Sequence, residues 1–209
     1  MLTHGEGRDA TRAHGTRGNV VNMPAWAYDL VARWFVMRGR ERTFRQLVVD
    51  QARLEPGEAV LDVGCGSGTL AMAARERVGE TGRVAGIDPS PRLVAGARRK
   101  AARRGVAVEF QRGGIELLPW PDRSFDVVLS TFVMHHLPPD VMRQGMVEIA
   151  RVLRPGGRLL VVDFDVEHQP ALMREAGFSD TETGAIPFRL RRVGGHSGHG
   201  FAMGTRAAP

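Results

Sequence analysis

The stretch Val60-Leu61-Asp62-Val63-Gly64-Cys65-Gly66-Ser67-Gly68-Thr69 decides how the rest of the chain is read. A short apolar run, Ala59 to Val63, meets a turn holding three glycines, and a helical pattern then runs from Gly68 to Val78. A strand entering such a turn leaves backbone N–H groups and a helix N-terminus open to a ligand, with no side chains in the way. Glycine-rich turns of this kind also occur without ligands; the residue that argues for one here is Asp88. It closes the next apolar run, Arg83 to Ile87, 20 residues beyond Gly68. A carboxylate in that place accepts both hydroxyls of a ribose, so turn and acid together indicate a nucleoside-containing ligand. A dinucleotide fingerprint needs its third glycine at the sixth position, which here is Thr69. That disfavours a nicotinamide-dependent oxidoreductase. Asp62, entering the turn, suits a ligand with an amino group better than a pyrophosphate.

Outward from this turn, short apolar runs alternate with helical patterns. Pro91 to Arg104 and Pro139 to Leu153 read as helices; Val106 to Gln111, Phe125 to Ser130 and Arg158 to Phe164 read as strands, the last entered by a tight turn at Pro155-Gly156-Gly157. This alternation implies right-handed crossovers and a mostly parallel sheet with helices on both faces, an α/β fold. Upstream, Trp26, Ala27, Leu30, Val31, Trp34 and Phe35 recur at helical spacing, and a second helical pattern around Phe44, Leu47 and Val48 stops at Pro56-Gly57. Downstream come a short helix ended by Gly177 and two weak strands, near Phe178 to Phe188 and Gly200 to Arg206, which suggest a terminal hairpin. Residues 1–22 are expected to form a loose tail, and 23–209 one domain.

The ordered set of motifs resembles the class I S-adenosylmethionine-dependent methyltransferases, closest to the methyltransferase type 11 and ubiquinone/menaquinone-biosynthesis groups. Leu61 to Gly68 is similar to their first motif and Gly86-Ile87-Asp88-Pro89-Ser90 to their second. Leu118-Pro119-Trp120, Ser124 to Val128, Met134-His135-His136-Leu137 and Leu153 to Gly157 match later segments. The resemblance implies a Rossmann-like, seven-stranded sheet in the order 3-2-1-4-5-7-6 with strand 7 antiparallel. It implies S-adenosyl-L-methionine as cofactor, with S-adenosyl-L-homocysteine as product. Gly64 and Gly66 would touch the methionine end, with Asp62 supporting its amino group and Cys65, Ser67 and Gly68 completing the turn. Asp88, with Pro89 beside it, would hold the ribose. Backbone near Gly114 and Ile115 would recognise adenine, because the carboxylate usual in this segment is missing; Glu116 is expected to be solvated or to fix the loop. Ser130 and Thr131 would sit beside the methionine portion, and Tyr28, from a lid formed by the helices of residues 23–56, would reach the cofactor carboxylate.

In-line methyl displacement asks the protein for alignment and removal of water, with a base only where the acceptor must lose a proton. His135 and His136 are the candidates, and neighbouring residues cannot both face one acceptor. The acceptor is expected to be quinone-like, phenolic, lipid or natural-product in type, in a site that is open or shared with a second copy in a homodimer. The alternative is a non-catalytic regulator that binds S-adenosylmethionine or another nucleoside.

The composition bounds these readings. The chain has 209 residues, 43% hydrophobic and 25% charged, which is one globular domain. Its charge of +6 could suggest nucleic acid, but 28 of its 29 basic residues are arginine, a bias that GC-rich coding also produces, and no reading module accompanies them. No nucleic-acid partner is expected, and Ser-Thr-Phe-Val after Leu129 is unlike the stretch found in base methylation. One cysteine excludes a disulfide framework. His196 and His199 have metal-like spacing without a third ligand nearby, so no metal is expected. No uncharged run exceeds 13 residues, too short to span a bilayer. A cytoplasmic protein is expected, with peripheral membrane contact permitted by Arg33, Arg38, Arg40 and Arg42.

Overall fold

The structure is a computed structural model that describes residues 23–30, 39–164, 166–188 and 199–208. The tail expected over 1–22, Val31, Arg33, Trp34, Phe35 and Arg38 in the N-terminal region, and His196 lie outside the described residues.

The helices are α1 (Ala25–Leu30), α2 (Glu41–Gln51), α3 (Thr69–Val78), α4 (Pro91–Arg104), α5 (Pro139–Val152) and α6 (Gln169–Glu175). The strands are β1 (Ala59–Val63), β2 (Arg83–Asp88), β3 (Glu109–Arg112), β4 (Phe125–Thr131), β5 (Leu153–Phe164), β6 (Phe178–Gly184) and β7 (His199–Arg206). They form one sheet in the order β3-β2-β1-β4-β5-β7-β6. β1 is parallel to β2 and β4, and β7 runs antiparallel to both β5 and β6. The order and the reversed strand agree with what the resemblance implies.

Local sequence explains the boundaries. α4 starts at Pro91, whose ring suits a first helical position, behind Ser90, whose side chain accepts the Leu93 N–H at 3.3 Å. It ends on Gly105 in the left-handed region (φ +62°). Alternation along β1 sends Val60 and Asp62 to one face of the sheet and Leu61 and Val63 to the other. Val60 joins Phe44, Val48, Leu70, Ala71, Val94 and Ala97 under α2, α3 and α4. Leu61 and Val63 join Met146, Ile149, Val152 and Met173 under α5 and α6. The two faces bury separate cores, so the carboxyl edges of β1, β2 and β4 are held from both sides.

Three boundaries differ from expectation by more than two residues. β3 begins at Glu109 rather than Val106, and β6 ends at Gly184 rather than near Phe188. The third is more informative. Pro155-Gly156-Gly157 is not a turn before the strand; it lies inside β5, which already pairs Leu153 with Phe125. The register then shifts between Phe125 and Val127, so the three residues are a bulge. Gly156 takes φ +78°, open to glycine at little cost.

Candidate functional site

The glycine turn is fastened to the neighbouring strand before any ligand is considered. The N–H groups of Gly64 and Cys65 both donate to the Ile87 carbonyl, at 2.8 and 3.0 Å. The Gly66 N–H donates to Asp88 Oδ2 at 2.9 Å, and the Ser90 N–H donates to Asp88 Oδ1 at 2.9 Å. Gly68 caps α3 with φ +79°, and a Cβ there would stand 2.6 Å from the Phe110 ring and 2.9 Å from the Ala97 Cβ. Glycine is needed at this position for both reasons.

Asp88 is buried at the end of β2; burial raises its carboxyl above the usual range, opposed by the hydrogen bonds from Ser90 and Gly66. Each oxygen accepts one backbone hydrogen bond and keeps a second lone pair, as ribose recognition requires. Pro89 follows directly. Gly113 adjoins the acid through its N–H, which donates to the Asp88 carbonyl at 3.2 Å. This brings the loop of Gly114 and Ile115 to the next strand edge. Glu116 is half-buried. Its carboxylate folds back onto Gly114, where a Cβ would collide with it, and Oε2 is buried without a hydrogen-bond partner.

Asp62 is 1% exposed, and neither carboxylate oxygen has a hydrogen-bond partner. Burial raises its pKa to about 7. The nearby Arg45 opposes that shift, and the Ala71 N–H, outside full hydrogen-bond geometry, favours the ionised form more weakly. An unpartnered buried carboxylate costs several kcal/mol by general estimates, so its presence beside a ligand turn is informative.

Cys65 turns its side chain onto Gly86 of β2, and burial raises the thiol pKa, so it packs rather than reacts. Ser130 and Thr131 do not share a face. Ser130 lies in register with Val63 and Val161, its hydroxyl buried and without a partner. Thr131 accepts from Arg45 on the opposite side.

α1 lies across the turn. A Cβ on Gly66 would be 3.3 Å from the Tyr28 hydroxyl. Enough protein surrounds this half-buried tyrosine that burial pushes its pKa up to about 12. The next residue, Asp29, accepts from the Ser67 hydroxyl and, at 2.6 Å, from Lys100 Nζ on α4. Gly96 makes room for this docking: a Cβ there would collide with Ala25. On the other flank, Phe132 leaves β4 in the left-handed region (φ +57°), and Val133 covers Gly64.

His135 and His136 occupy a single 3-10 turn after β4, with ring centroids 3.8 Å apart. His136 is exposed. His135 Nδ1 stands 2.5 Å from Asp163 Oδ1, at the end of β5, and Asp163 is fully buried. The same carboxylate accepts the Met134 and Phe164 N–H groups, each at 2.7 Å. Asp163, Arg45 and Asp29 are the site residues that sequence reasoning missed.

Comparison with known proteins agrees with this geometry. Residues 60–157 match a family model described as a methyltransferase domain. The chain is 36% identical over 138 residues to 2-phytyl-1,4-naphtoquinone methyltransferase of Synechococcus elongatus, covering 64% of this chain and 58% of that protein. It is 36% identical over 137 residues to demethylmenaquinone methyltransferase of Thermus thermophilus, covering 66% and 60%. The chain thus spans about three-fifths of the length of these relatives. Among solved structures it resembles a SAM-dependent methyltransferase from Aquifex aeolicus, with a TM-score of 0.67 at 23% identity, covering 88% of this chain and 97% of that one. The motif order, the sheet topology and these likenesses together place the chain in the class I S-adenosylmethionine-dependent methyltransferases.

Proposed function

We propose that the protein transfers the methyl group of S-adenosylmethionine to a small, quinone-like or phenolic acceptor. The observation that carries this reading is the pairing of the glycine turn after β1 with the buried Asp88 at the end of β2. The residues fit the cofactor. Asp88 accepts from the ribose hydroxyls, with Pro89 at its side, while the turn of Gly64, Cys65, Gly66, Ser67 and Gly68 backs the methionine end. The backbone of Gly114 and Ile115 borders the adenine, and Ser130 and Thr131 line the carboxyl edge of β4. When bound, the cofactor supplies an already activated sulfonium methyl and a neutral leaving group.

The chain's own contribution is alignment and exclusion of water. Tyr28 closes the methionine end from α1, and the helices within 23–56 form the lid and the acceptor side. The names of the relatives support a quinone-type acceptor, whose carbon or oxygen must lose a proton on methylation. His135 serves as that base through Nε2: the Asp163 contact at Nδ1 fixes the ring and stabilises the imidazolium that forms.

The experiment is incubation of the protein with S-adenosylmethionine and a panel of reduced naphthoquinones and phenols, following S-adenosylhomocysteine release and the mass of the acceptor. Formation of a +14 Da product supports the reading. Tight S-adenosylhomocysteine binding without turnover on any acceptor points instead to a regulator.

A further inference from the structure

α1 has a second face that the ligand turn does not use. Ala25 and Asp29, one helical turn apart, rest on α4 at Gly96 and Lys100, which are also one turn apart. The two helices therefore run side by side in the same direction. Tyr28, on one edge of α1, reaches the ligand turn. Trp26 and Leu30 fall on the opposite edge and point outward, 72% and 49% exposed. Neither belongs to the core on either face of the sheet.

The flank that they turn towards is basic. α4 carries five arginines, one lysine and no acid. On its helical wheel Arg92, Arg99 and Arg103 lie within about 60° of Gly96, on the side away from the buried Leu93, Val94, Ala97 and Ala101. All three are exposed. The exposed Arg112 of β3 extends the row at the start of α4, where its Nε donates to the Pro89 carbonyl at 3.4 Å. An amphipathic helix needs a polar outer face, but it needs neither a single sign of charge there nor two bare apolar side chains alongside. Tryptophan and leucine flanked by arginines match a surface that is anionic above and apolar beneath, as lipid headgroups over acyl chains are. Nucleic acid would satisfy the arginines and leave Leu30 unmatched.

We infer that Trp26 and Leu30 of α1, together with Arg92, Arg99 and Arg103 of α4, form a face that binds the surface of an anionic lipid bilayer. The tryptophan and leucine enter the headgroup boundary while the arginines meet lipid phosphates. α1 is one helix thick, so the bilayer stands about 10 Å from the glycine turn, and the helix that covers the turn also rests on the membrane. The inference goes beyond methyl transfer and does not need it.

The test is co-sedimentation of the full chain with phosphatidylcholine vesicles, with and without phosphatidylglycerol at roughly one lipid in three. The wild type is expected to bind the anionic vesicles and to leave the neutral ones at least about tenfold more weakly occupied. Trp26→Gln and Leu30→Gln are each expected to weaken binding several-fold at an unchanged melting temperature. Arg99→Gln and Arg103→Gln are each expected to weaken it about fivefold. Arg143→Gln with Arg174→Gln, on α5 and α6 across the sheet, is expected to change it little. Absence of vesicle binding overturns the inference, as does binding that ignores both apolar substitutions or that falls equally in the α5 and α6 variant, since either would reduce it to net charge. Retention by duplex DNA without retention by vesicles would make the face a nucleic-acid surface and also overturn it. Vesicle binding is read without cofactor or acceptor, so its failure leaves the methyltransferase reading standing.

Discussion

Asp88 and Gly66 are joined by a hydrogen bond from the glycine N–H to the carboxylate, at 2.9 Å. The acid assigned to the ribose therefore also shapes the turn assigned to the methionine end. Removing it should damage both halves of the site at once. Asp88→Ala is expected to weaken S-adenosylhomocysteine binding by at least about tenfold, on the order of 1.4 kcal/mol or more. Asp88→Asn, which keeps an acceptor oxygen, should lose less. Calorimetry on both variants checks this, and an unchanged affinity in folded Asp88→Ala would contradict the ribose role.

Asp62 makes stability depend on pH. Its folded pKa of about 7 lies above the ordinary 3.8 because it is buried. The folded protein therefore holds a proton there that the unfolded chain has released. The resulting stabilisation is fully present below about pH 4 and is lost as pH rises to about 7, a change on the order of 4 kcal/mol at most. Asp88, also raised, acts in the same direction. Urea unfolding should show the wild type losing stability between pH 5 and pH 8, and Asp62→Asn should flatten that dependence.

Asp163 holds His135 through one oxygen and the backbone of the same turn through the other. Exchanging it for asparagine keeps the shape and removes the charge that supports an imidazolium. Asp163→Asn is expected to lower turnover by roughly 100-fold and to alter its pH profile. Binding of S-adenosylhomocysteine should remain within a few-fold of the wild type. His135→Gln should match it in turnover, and the double variant should add little, because both changes break one unit. Independent, additive losses would separate the two residues.

Gly96 leaves the notch in which α1 sits, against Ala25. Gly96→Ala adds a methyl group that collides with Ala25 while suiting the interior of α4, since alanine is the better helix former. The melting temperature should hold or rise, while affinity for S-adenosylhomocysteine falls as α1 is displaced from the turn. Loss of both together would show that the docked α1 is needed for the fold.

The central sheet was legible because β1 and β2 are apolar runs ended by a glycine turn or an acid and β4 and β5 are near-continuous apolar runs, and Asp88 stands out as the acid that closes the run after the glycine turn. The strand order was not in the periodicity; it came with the resemblance of the ordered motifs. Pro155-Gly156-Gly157 misled, because a bulge inside a strand uses the same residues as a turn before one. Arg45 was missed because an arginine on an amphipathic helix reads as solvated. It shares the buried stripe of Phe44, Val48 and Val49, and a charge within an apolar stripe was the signal available. Asp163 was hidden differently, since its partner lies 28 residues away in sequence and only the parallel pairing of β4 with β5 unites them.

The grip of Lys100 on Asp29 has a practical side. Lys100 is the chain's single lysine, so an acylating reagent has one side-chain amine to find, tied down by the helix that covers the ligand turn. The rate at which that amine is modified becomes a built-in gauge of how often the helix lifts, readable by mass spectrometry on the unaltered protein, with ligand or without.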